Sequence, residues 1–68
     1  MRLKELRRAK GISQVKLAMD LNTSQNTISR YETGEREPGI HELIMLAEYF
    51  NVSVDYLLER TDDPRMNK

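Results

Sequence analysis

Apolar residues recur along the chain with a helical period, and the polar residues between them fall where helices start and stop. Leu3, Leu6 and Ala9 share one face, and Gly11 follows at a position suited to a left-handed backbone, which predicts a first helix over residues 2–10. Ser13 is placed to cap a second helix running to about Leu21, with Ile12 and Leu17 as a hydrophobic staple and Leu17, Ala18 and Leu21 as its inner stripe. Asn22 tolerates the left-handed turn that must follow. Ser24 caps a third helix, and Glu37-Pro38-Gly39 marks a loop before a strongly apolar fourth one carrying Ile40, Leu43, Ile44, Leu46, Ala47 and Phe50. Ser53 caps a short fifth helix with Leu57 and Leu58, and Val52 and Leu57 form its staple. No strand pair is legible, so the expected fold is all-α: a compact five-helix domain over residues 1–60 and a polar tail over 61–68 that should fray.

The third helix departs from this pattern. Its stretch NTSQNTISRYETG holds only two sizeable apolar residues, Ile28 and Tyr31. At about 100° per residue these two lie within one narrow stripe, with Glu32 at its rim. Asn26, Ser29, Arg30 and Thr33 lie opposite, and Gln25 sits at one flank. A helix with two anchors is a poor independent former, so its neighbours must hold it. Its outer face then offers Gln25 with Ser29 and Asn26 with Arg30, two rows at i, i+4 spacing. Amides can bond both N6 and N7 of adenine, a guanidinium can bond O6 and N7 of guanine, and a helix fits the major groove. From polarity alone, an ordinary solvated face competes with this reading.

Charge sharpens the contrast. The chain is formally neutral, yet residues 1–30 hold seven Lys/Arg against two acids, and residues 31–68 hold four against nine. The polar helix lies at the end of the basic half. For Arg2, Lys4, Arg8 and Lys10 a solvated face and phosphate contact stand open. With 68 residues the core must be thin and a deep pocket is not expected. There is no cysteine for a disulfide or thiolate metal site, and His41 is the sole histidine, best read as a surface or helix-start residue. No metal, cofactor or catalytic residue is expected. Ser13-Gln14-Val15-Lys16 matches an S-x-x-K pattern, but a cap explains Ser13 better, and Asp62-Asp63 reads as solvated tail. Neither a membrane-spanning run nor a secretory leader is legible, so a cytoplasmic, nucleoid-associated protein is expected. Leu43, Ile44, Leu46, Ala47 and Phe50 are expected in the core, whereas Val15, Met45, Tyr49 and Tyr56 are not needed to fill it.

The link between the second and third helices, Asn22-Thr23, is short enough to cross them steeply. Residues 13–39, SQVKLAMDLNTSQNTISRYETGEREPG, resemble the motif of the Cro/C1-type (XRE) helix-turn-helix regulators of bacteria and phages. The resemblance extends over about residues 2–60. Ser13-Gln14, Leu17-Ala18, Thr27-Ile28-Ser29, Tyr31-Glu32, Gly34, Pro38, Val52-Ser53-Val54-Asp55 and Leu57-Leu58 agree together, with the helix-turn-helix motif at about 13–33. It implies a lambda-repressor-like fold that binds double-stranded DNA, with the helix from Ser24 as recognition helix. Gln25, Asn26, Ser29 and Arg30 would face bases, and Gln14, Ser24 and Thr27 would approach phosphates. Arg7 would pair with Glu32. The family implies a homodimer on a pseudopalindromic operator, with contacts near Val52, Val54 and Tyr56, and a repressor as the expected role. The rival is an antitoxin-like or adaptor module that holds another protein and uses DNA for autoregulation. Glu35 stands where the family often has lysine, Asn22 where glycine is common, and Gly39 in place of a usual serine cap.

Overall fold

The five helices form where the cap residues place them, and the computed structural model describes residues 1–65 of the chain. They are α1 (Leu3–Ala9), α2 (Gln14–Asp20), α3 (Gln25–Thr33), α4 (Ile40–Phe50) and α5 (Val54–Leu57), and the described residues contain no strand. Side chains cap three of the N-termini: Ser13 Oγ accepts from the Lys16 N–H at 3.0 Å, Ser24 Oγ from Thr27 at 3.1 Å and Ser53 Oγ from Tyr56 at 3.0 Å. Each satisfies one of the backbone donors that a helix start leaves unpaired. Left-handed residues turn the chain after α2 and α3, Asn22 at φ 57° and Gly34 at φ 83°. Asn51 at φ 56° does the same for α4.

The core gathers Leu3 from α1, Leu17 and Ala18 from α2, Ile28 and Tyr31 from α3, Leu46 and Ala47 from α4, and Val52 and Leu57 around α5. Leu6, Ile12, Leu21, Leu43 and Phe50 pack half-buried against it. One expectation for α4 is corrected: Ile44 is 43% exposed and does not belong to the core. Ile40, an apolar position of the same helix, is 76% exposed. Six apolar positions exceed what one helix face can bury, and the face centred on Leu43, Leu46 and Phe50 takes the interior. Val15 and Met45 are exposed as well, and Tyr49 and Tyr56 are intermediate.

The start of the polar tail is tied back to the helices by hydrogen bonds. The Ser53 N–H donates to the Pro64 carbonyl at 3.0 Å, and Arg2 Nη2 donates to the Thr61 carbonyl at 3.2 Å. The last part of the tail expected to fray, residues 66–68, lies outside the described residues. A second polar lock joins α1, α2 and α4. The Tyr49 hydroxyl donates to Asp20 Oδ2 at 2.6 Å, Lys16 Nζ donates to Asp20 Oδ1 at 2.9 Å, and Lys10 Nζ lies 4.9 Å from the Tyr49 ring centre. The bonds from Lys16 and Tyr49 hold the Asp20 carboxyl below its ordinary value, and the same carboxylate pushes the Tyr49 hydroxyl up.

Candidate nucleic-acid interface

α3 reaches its position because only its inner face has anchors: Ile28 is fully buried and Tyr31 nearly so. Gln25, Asn26 and Arg30 are exposed, whereas Ser29 and Thr27 are partly covered. Ser24 and Thr27 also bond to each other through their hydroxyls at 2.9 Å, at the N-terminal end of the same helix.

The C-terminal half of α3 is tied to α1. Arg7 Nε donates to Glu32 Oε2 at 2.6 Å and Nη2 to Glu32 Oε1 at 3.3 Å, while Nη1 donates to the Ile12 carbonyl at 2.9 Å. The side chains are 12% and 3% exposed. A guanidinium fork on a carboxylate fixes orientation as well as distance, so the pair sets how α3 sits on α1.

Gln14, the first residue of α2, extends this arrangement to the outer flank of α3. Its Nε2 donates to Glu32 Oε1 at 3.0 Å, and its Oε1 accepts from Gln25 Nε2 at 3.4 Å. The polarity of the chain follows from its start. An ionised carboxylate only accepts, so Gln14 must turn its NH2 to Glu32 and its oxygen to Gln25. Gln25 then spends one N–H inward, across a long and weak bond, and keeps its carbonyl oxygen and second N–H outward. A neighbouring acceptor and donor is the pattern that matches adenine N6 and N7. This internal tie of Gln14 was not legible in the sequence, because Glu32 is 18 positions away.

The dimer candidates separate. Val52 is 5% exposed and lies in the core of the single chain; Val54 and Tyr56 are partly exposed. Of the four N-terminal bases left open, Arg2 turns inward to the C-terminal segment and Lys10 to Tyr49. Lys4 and Arg8 are exposed. In the loop, Glu35 accepts from the Thr33 hydroxyl at 3.1 Å and the Arg36 N–H donates to the Arg30 carbonyl at 3.3 Å. Among the described residues no group of His, Cys, Asp and Glu is placed to hold a metal ion, and no helix is long and apolar enough to cross a membrane.

Two capped helices joined by a left-handed residue, the second with a polar outer face and a braced inner one, define a helix-turn-helix domain. The family comparison agrees: the helix-turn-helix profile matches residues 3–57, and the chain belongs to that family. Among curated proteins, the HTH-type transcriptional regulator ImmR of Bacillus subtilis (strain 168) is 39% identical over 67 residues, covering 98% of this chain and 53% of that protein. The uncharacterized HTH-type transcriptional regulator YobD of the same organism is 36% identical over 63 residues, 93% of this chain and 56% of its own length. The HTH-type transcriptional activator BcrR of Enterococcus faecalis is 35% identical over 57 residues, 84% of this chain and 28% of that protein. The chain thus spans about half the length of the first two. No solved structure gives a significant match.

Proposed function

We propose that this domain regulates transcription by reading double-stranded DNA with α3 in the major groove, acting as a repressor and as a two-fold dimer on a pseudopalindromic operator. The observation that carries the reading is the division of α3. Its inner side is locked by Arg7, Glu32 and Gln14, and its outer side presents Gln25, Asn26 and Arg30 to solvent. Groups that read base edges must be held before they meet DNA, or the cost of ordering them is charged to binding.

Ser24 and Thr27 at the start of α3, and the second N–H of Gln14, take the phosphates. Gln14, the first residue of α2, adds the unpaired backbone donors of that helix end. These contacts position the domain without carrying sequence information, and Gln25, Asn26, Ser29 and Arg30 supply the discrimination. The second copy packs against Val54 and Tyr56 of α5, and Ile44 of α4 and Leu58, just past α5, add exposed apolar surface. Half-sites would lie about 34 Å apart, one helical turn. Repression asks no more of the domain than occupancy; BcrR is an activator by name, so the sign of regulation is a separate measurement.

Selection of bound duplexes from a randomised pool at about 150 mM salt tests the reading, since phosphate contacts are salt-sensitive and sequence contacts are enriched against that background. An enriched inverted repeat is expected. Enrichment of a single half-site would remove the dimer, and no enrichment would remove sequence reading altogether. A salt titration separates DNA reading from a protein-binding module: log affinity should fall against log salt with a slope near about −0.9 per phosphate neutralised.

A further inference from the structure

α5 is four residues long, too short to persist by its own hydrogen bonds, and its backbone is closed at one end by the N-terminus of the chain and at the other by the segment that follows it. At its C-terminal end the Arg2 N–H donates to the Leu57 carbonyl at 2.8 Å, and Arg2 Nε donates to the Tyr56 carbonyl at 2.9 Å. The same guanidinium lies 4.3 Å from the centre of the Tyr56 ring and donates through Nη2 to the Thr61 carbonyl at 3.2 Å and to Asp62 Oδ1 at 3.1 Å. At the N-terminal end the Ser53 N–H, on a residue only 8% exposed, donates to Pro64. Between these points the segment is folded by its own polar groups: the Asp63 N–H donates to Thr61 Oγ1 and the Arg65 N–H to Asp63 Oδ1. Residues 61–64 therefore run back along α5 from its end to its start.

We propose that Thr61–Pro64 is a strap, latched by Arg2, that folds and unfolds together with α5 as one unit separable from the body formed by α1 to α4. The latch is built mainly from neutral acceptors. Three of its bonds go to carbonyls, and its two carboxylate neighbours, Asp62 and the more distant Glu5 at 3.7 Å, are exposed and screened by water. Arg2 itself is 17% exposed in its side chain, so its donors have no ready substitute from solvent. Opening the strap frees the Ser53 N–H and takes from the Arg2 guanidinium the Thr61 carbonyl that helps hold it over the Tyr56 ring and carbonyl, which loosens both ends of a helix that cannot stand alone. Any ligand or chain that engages residues 61–65 would act through this latch on the α4–α5 corner. The inference concerns the fold of the single chain and needs neither DNA nor a dimer.

Amide hydrogen exchange read by NMR on the full chain tests it. In the unmodified protein the Ser53 amide should be protected to the same degree as the Leu57 and Leu58 amides, and less than Leu17 or Ile28. Arg2→Met keeps the stem and removes the donors; it should speed exchange at Ser53, Leu57, Leu58 and Arg60 by about tenfold or more and leave α2 and α3 unchanged. Pro64→Gly loosens the strap without touching α1 and should act on the same amides in the same direction. Free exchange at Ser53 in the unmodified chain would overturn the strap. An equal rise across α2 and α3 in Arg2→Met would overturn the separable unit, as would no rise anywhere.

Discussion

The two halves of the molecule are held by different means. α2 and α3 carry side-chain caps at both N-termini and a nearly buried network, Arg7–Glu32–Gln14, whose members are fixed by direction as well as by contact. α4 begins at Gly39 with no side-chain cap and is packed chiefly by Leu43, Leu46, Ala47 and Phe50, with Ile40, Ile44 and Met45 left in water. Hydrophobic packing is non-directional, so it can hold α4 in place without fixing a polar group to a fraction of an ångström. The base reading proposed for α3 asks for that precision, and α3 is held by a directional network that is nearly buried, whereas the Tyr49–Asp20 bond of α4 is exposed. The charge follows the same division, with the excess of Lys/Arg in residues 1–30 and the excess of acids beyond.

Removing the ion pair should break the comparison most severely. Arg7→Ala leaves Glu32, 3% exposed, with Gln14 as its remaining side-chain partner among the described residues. Stripping one partner from a buried pair costs on the order of 3–5 kcal/mol, comparable to the whole stability of many small domains. A thermal melt followed by circular dichroism should show a fall of about 12 °C or more. A shift of one or two degrees would mean that the directional network is dispensable and that packing holds both halves alike.

Asn26→Ala probes the outer side of α3 without touching that network. Asn26 is exposed and makes no side-chain bond among the described residues, so the melt should not move. The expected loss is discrimination at one base position of each half-site, about 1–3 kcal/mol, measured by competition between the operator and its single-base variants. An unchanged preference would take Asn26 off the reading face.

How much of this was legible depends on the range of each interaction. Ser13, Ser24 and Ser53 act on donors three positions away, and Asn22 and Gly34 act on their own backbone, so the sequence carries these directly. The outward rows of α3 were legible because only Ile28 and Tyr31 can anchor it. α4 misled because an abundance of apolar residues hides which stripe faces inward, and Ile44 needs the positions of its neighbours to be placed. Arg2 was not legible at all: its acceptors lie 54 to 60 positions away, and an arginine near the N-terminus looks like any solvated base. Val52 carried the family's dimer expectation, yet burial in the single chain is set by how α5 docks, which no local pattern encodes.

The caps give the next contrast in size. Ser24→Ala removes the oxygen that accepts from Thr27 and also the hydroxyl partner of Thr27 Oγ1. A cap of this kind contributes about 1 kcal/mol, so the melt should fall by about 4–8 °C. Operator affinity should drop further than stability alone explains, because the hydroxyls of Ser24 and Thr27 are assigned to phosphate. Equal losses in Ser24→Ala and in a stability-matched core variant would remove Ser24 from the DNA contacts.

Gly39→Ser is the complementary change and the smallest. Gly39 has φ −71° and ψ 178°, an extended N-cap geometry that serine adopts without strain. A Cβ there would lie 2.6 Å from Glu42 Oε1, too close for both to stay. The obstacle is the tip of an exposed, flexible side chain, which can withdraw at little cost. The new hydroxyl could then accept from the Glu42 N–H and give α4 the kind of cap that Ser13, Ser24 and Ser53 give α2, α3 and α5. Serine exceeds glycine as a cap by only a few tenths of a kcal/mol, and it also narrows the unfolded chain, so the melt should rise by about 2 °C. A fall would show that the Glu42 carboxylate is held over Gly39 and is itself the cap of α4, satisfying the donors of the helix start from the other side.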